Sequence, residues 1–114
     1  MGKHTLILLK PGFFEGEEGP FFCPHNAAME GLLVYQPQLN TKLDIHRINF
    51  ERPREEVIKL LGESNQFLPV LVVAEDHEIP PDAQVSEETG RAFFLGEIAI
   101  SKFLHKDLGT LKPH

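Results

Sequence analysis

A chain of 114 residues suffices for one domain with a single sizeable core and leaves no room for two. Hydrophobic residues make up 41% and charged residues 25%, a globular balance, and no apolar run approaches the roughly 18 residues of a membrane span. A formal net charge of −6 argues against a nucleic-acid partner, because phosphate binding needs a basic face.

The stretch "MGKHTLILLKPG" holds a short continuous apolar run, His4 to Lys10, that is cut off at Pro11. It reads as a buried central strand rather than a signal peptide. The segment "PGFFEGEEGPFF", with three glycines, two prolines and three glutamates, reads as a loop whose Phe13, Phe14, Phe21 and Phe22 either cover the end of a sheet or form a lid or apolar wall next to Cys23. From Pro24 the pattern turns helical: Ala28, Leu32 and Tyr35, flanked by Met29 and Leu33, recur at i, i+3 and i+4, and Pro37 ends it. "LDIHRINF" alternates and predicts a second strand. Pro53 opens a second helix, striped by Val57, Ile58, Leu60 and Leu61, which Gly62 closes.

"FLPVLVVAE" is a β-branched run that proline can only begin, so it predicts a third strand. A polar loop from Asp76 to Gly90 leads to "RAFFLG", a fourth strand, and "EIAISKFLHKDL" suits a last helix. This order is β-α-β followed by α-β-β-α in one domain over residues 1–114. A strand–helix–strand unit is a parallel pair with a right-handed crossover, and the later strands add an antiparallel hairpin. The expectation is an α/β fold: a four-stranded mixed sheet of order 2-1-3-4, its fourth strand at an edge, with three helices on its two faces. The first and third helices share a face.

Two local signals sharpen this reading. Cys23-Pro24-His25-Asn26 stands at the start of the first helix, and Leu68-Pro69 at the start of the third strand. On these residues the sequence resembles the thioredoxin-like superfamily, including glutaredoxins and the N-terminal domains of glutathione transferases, over almost its whole length. "CPHNAAMEGLL", "FERPR" and "LPVLVV" together resemble a small uncharacterised bacterial family within it. The resemblance implies that Cys23 is the candidate nucleophile, that Leu68-Pro69 is cis, and that Pro69 lies opposite Cys23. It also implies that Pro24, Asn26, Leu68, Pro69, Gly96 and Glu97 line the binding site.

The chain departs from these relatives at two places. Asn26 occupies the position of a second, resolving cysteine, so no internal dithiol cycle is possible. Gly96 and Glu97 occupy the positions where transferases hold the γ-glutamyl end of glutathione, and the Glu97 carboxylate would repel it. No cofactor is therefore expected.

The physics of Cys23 stands apart from any family. A helix N-terminus carries roughly half a positive charge, and His25 adds more when protonated, so both favour thiolate. Glu15, Glu17 and Glu18 in the preceding segment oppose them. The six histidines are scattered without zinc spacing, so no metal is expected. One cysteine makes no internal disulfide and fits a reducing, cytoplasmic compartment. Three functions follow as expectations: a single-cysteine thiol–disulfide oxidoreductase taking a small thiol or an extended peptide, a redox-inactive binding module using the proline edge, or a structural or assembly protein that keeps only the scaffold.

Overall fold

The computed structural model describes residues 2–114. Its central strand is β1 (Thr5–Leu9), whose residues Leu6 to Leu9 are buried, as a continuous apolar run at the middle of a sheet demands. β1 pairs in parallel with β4 (Asp44–Ile48) on one side and antiparallel with β5 (Val70–Val72) on the other. β5 pairs with β7 (Ala92–Leu95), and β7 carries β6 (Gln84–Val85) on its outer edge. The sheet thus runs β4-β1-β5-β7-β6.

The four strands expected from sequence lie in the expected relative order, but the sheet has five. The fourth predicted strand, now β7, is therefore not at the edge. β6 is two exposed residues inside the polar loop, held to β7 by backbone pairing and by Ser86 N–H donating to Arg91 O at 2.9 Å. A strand that short and exposed carries no hydrophobic period to read.

Four helices pack on the sheet rather than three. α1 (Pro24–Tyr35) and α4 (Glu97–Leu108) share a face, where Met29, Leu33, Ile100, Phe103 and Leu104 close on Leu6, Leu8, Leu71 and Val73. α3 (Glu55–Leu61) covers the other face, setting Val57 and Leu61 against Ile7, Val70, Val72 and Phe93. Each such side chain contributes about 1.5–3 kcal/mol by leaving water. The additional helix, α2 (Leu39–Lys42), is a single turn after Pro37 that buries only Leu39. α3 begins at Glu55 and not at Pro53, with Arg54 as its N-cap.

The segment expected as a loop folds into a separate two-stranded hairpin, β2 (Phe13–Glu15) with β3 (Glu18–Phe21). Gly16 has φ of +62° and Glu17 a negative φ, the arrangement of a two-residue type II′ turn. Its rings do not cover the sheet end as expected: Phe14, Phe21 and Phe22 are exposed, and only Phe13 stacks, on Phe50, with centroids 4.4 Å apart. None of the helices is long and apolar enough to cross a membrane, among the described residues.

Candidate functional site

The register of the sheet gathers the singled-out residues at one end. Ile7 pairs with Val70 and Val70 with Leu95, so continuing those registers carries Leu9 towards Leu68 and Gly96 towards Pro69. The Gly96 N–H does donate to Pro69 O at 3.0 Å. This is the carboxyl end of β1, the usual place for a site in an open α/β sheet. Leu68-Pro69 is cis, as are Gly19-Pro20 and Arg52-Pro53.

Cys23 is the N-cap of α1, in an extended conformation, with Pro24 as the first helical residue. It is half-buried and unpaired as a thiol. Partial burial pushes its pKa up. Hydrogen bonding from the Asn26 side chain and from the Asn26 and His25 backbone N–H groups outweighs this and holds the thiol below its ordinary value, while the Glu97 charge opposes them. The opposing carboxylate is thus on α4, far along the chain from the hairpin glutamates that sequence pointed to.

Asn26 is almost fully buried and does two jobs. Its Oδ1 accepts the Leu9 N–H at 2.9 Å, tying α1 to the end of the central strand. Its Nδ2 has no partner at full hydrogen-bonding geometry, and the Cys23 sulfur is the group whose pKa this side chain lowers. A buried amide nitrogen without an oxygen partner is uncommon and costly.

His25 acts on Cys23 through its backbone N–H. Its exposed ring turns away and donates from Nδ1 to Glu97 Oε2 at 2.7 Å. That bond holds the Glu97 carboxyl below its ordinary pKa. Glu97 opens α4 directly after Gly96, whose φ of +89° is strained for any residue with a side chain. Gly96 therefore joins both edges of the site, since its N–H holds Pro69 and its neighbour holds His25. An open cleft of about 420 Å³, lined by Gly96, Glu97, Ile98 and Lys102, runs along the start of α4. Leu68 packs on the α3-side core beside Ile7 and Val57.

Three arrangements escaped sequence reasoning. Arg54 is buried: its Nε and Nη2 donate to Phe50 O at 3.0 and 2.7 Å, and its Nη1 to Gln66 O at 2.7 Å. Arg47 of β4 pairs through Nε and Nη2, each at 2.8 Å, with the Glu30 carboxylate of α1. The third is a cluster of His4, His77 and Asp107 at the other end of the sheet, whose ligand atoms all lie within 4.8 Å of one another.

That cluster has the residue types of a metal site, but its hydrogen bonds assign protons instead. His4 Nδ1 accepts the buried Ala74 N–H at 2.9 Å, so its Nε2 carries the proton and donates to Asp107 Oδ2 at 2.8 Å. Ligating a metal through Nε2 would require an imidazolate. His77 faces acceptors on both sides, the Glu78 carbonyl at Nδ1 and Asp107 Oδ1 at Nε2, which describes an imidazolium. The hydrogen bond to Asp107, followed by that to Glu78, raises the His77 pKa accordingly. The residues fit a shared proton network better than a cation.

No curated protein and no solved structure matches this chain. Over residues 3–112 the sequence matches the family described as "Protein of unknown function (DUF3088)", and the chain belongs to that family.

Proposed function

We propose that this protein is a single-cysteine thiol–disulfide exchange protein of thioredoxin-like architecture, acting through Cys23. The observation that carries the reading is the juxtaposition of Cys23 with Asn26: a thiol at a helix mouth whose pKa the Asn26 side chain lowers, and a buried Asn26 Nδ2 that has no hydrogen-bond partner. Strand order, helix placement and the position of Pro69 beside Gly96 support the architecture.

The chemistry is an exchange. The Cys23 thiolate attacks one sulfur of a substrate disulfide R–S–S–R′, forming Cys23–S–S–R and releasing R′–S⁻, which takes a proton from water. A thiolate R″–S⁻ of a small thiol then attacks the R sulfur, giving R–S–S–R″ and returning the Cys23 thiolate. Donors aimed at the sulfur favour it both as attacker and as leaving group. Asn26 cannot perform the second step, so resolution is external.

The test is incubation with bis(2-hydroxyethyl) disulfide, a neutral small disulfide, followed by mass spectrometry. The expected product is one mixed disulfide at Cys23 that an added thiol removes and that Cys23→Ser abolishes. No adduct under conditions that modify a cysteine peptide would overturn the reading and leave the redox-inactive binding module in its place.

A further inference from the structure

The β2–β3 hairpin leads straight into the site, since β3 ends at Phe21 and only Phe22 separates it from Cys23. Phe14 is 52%, Phe21 39% and Phe22 64% exposed. Exposed rings concentrated in one short hairpin mark an interaction surface. The hairpin is preformed: Phe13 stacks on Phe50 and lies 5.9 Å from the Phe21 ring, and the Phe14 ring lies over Gly19, leaving no space there for a Cβ.

Within the hairpin itself the charge has one sign, Lys10 standing just before it. Glu15, Glu17 and Glu18 are exposed, none of them forms an ion pair among the described residues, and Pro11 to Cys23 contains no lysine or arginine. Arg54, on the far side of Phe50, has its guanidinium committed to the Phe50 and Gln66 carbonyls. A second copy of this chain would set the same three carboxylates against each other under a net charge of −6. A basic segment would meet all three.

We propose that the β2–β3 hairpin docks a partner polypeptide segment that is basic and carries apolar side chains, and presents it to Cys23. Aromatic rings take the apolar side chains, and the glutamates select and steer the cationic ones. Presentation to Cys23 rests on the thiol-exchange reading; docking does not.

The test uses the full chain carrying Cys23→Ser and two fluorescent peptides with identical leucines and phenylalanines, one with lysines and the other with glutamates between them. The lysine peptide is expected to bind about tenfold or more tighter, and to weaken as salt rises. Combined Glu15→Gln, Glu17→Gln and Glu18→Gln should remove most of that preference, and Phe22→Ser should weaken binding while leaving the backbone amide spectrum otherwise unchanged. Equal binding of the two peptides, or binding that neither set of changes alters, would overturn the proposal. So would concentration-dependent self-association through this face. A second arm, run on the chain with Cys23 intact, separates the two proposals, using the lysine peptide with one added cysteine as its symmetrical disulfide. Docking without adduct would sink the exchange reading alone, whereas reaction with bis(2-hydroxyethyl) disulfide but no peptide preference would sink the docking surface alone.

Discussion

Asn26 Oδ1 accepts the Leu9 N–H at 2.9 Å, so the residue facing the candidate nucleophile also fastens the first helix to the central strand. Asn26→Ala leaves that buried N–H without a partner. The expected cost is about 1–3 kcal/mol of stability, read as a lower midpoint with unchanged slope in urea unfolding. The same bond limits engineering: Asn26→Cys, which would supply a second thiol, should lose comparable stability.

Glu97 and His25 form a second handle on Cys23. Glu97→Gln removes the charge that raises the Cys23 pKa, so alkylation should reach its half-maximal rate at lower pH than in the wild type. His25→Ala leaves Glu97 without its hydrogen-bonded partner and should shift the profile the other way, although the backbone N–H that acts on the sulfur remains. Opposite displacements are the signature, and profiles that move together would contradict this geometry.

The His77–Asp107 pair predicts how stability responds to pH. Hydrogen bonds to Asp107 and to Glu78 raise the His77 pKa, so its contribution is complete below about pH 6.5 and is lost as pH rises through the folded value. Asp107 is pushed up by burial but held lower on balance by His4 and His77. Its contribution is complete above about pH 3.9 and is lost as pH falls through the folded value. The pair therefore stabilises most between those limits. In urea unfolding at several pH values, His77→Gln should remove the decline on the alkaline side, and Asp107→Asn should remove features on both sides.

Arg54 should prove structural. Its guanidinium holds two backbone carbonyls, Phe50 O and Gln66 O, that frame the chain entering Leu68-Pro69. Hydrogen bonds from a charged donor contribute about 1.5–3 kcal/mol each, so Arg54→Met should destabilise by several kcal/mol. Arg54→Lys should recover little, because one ammonium cannot reproduce the planar fork. Thermal unfolding of the two variants is the check.

Much of the scaffold was legible because its signals are local. The apolar spacing of Met29, Leu32 and Leu33 with Pro24 and Pro37 at the ends placed α1, and Gly96 and Leu108 bounded α4. A continuous run marked β1 as central. The hairpin was missed because its phenylalanines are interleaved with glycine, proline and glutamate, poor strand formers, and are held together by the Gly16 turn and by Phe13 opposite Phe21. The position of Cys23 at the helix mouth was also legible. Its surroundings were not, since Leu9, Glu97 and Gly96 reach the site only through sheet register and α4. Likewise His4, His77 and Asp107 meet across 103 residues, a distance no spacing rule spans.

In the proposed exchange chemistry, Asn26 and the helix mouth together hold Cys23 as a thiolate. The most direct measurement is the rate of Cys23 alkylation by iodoacetamide, a neutral reagent, as a function of pH in the wild type and in Asn26→Ala. The expected wild-type profile lies below that of a free cysteine peptide, whose pKa is about 8.5, and returns towards it in Asn26→Ala. A wild-type profile coincident with the peptide's, or one that Asn26→Ala leaves in place, would contradict it.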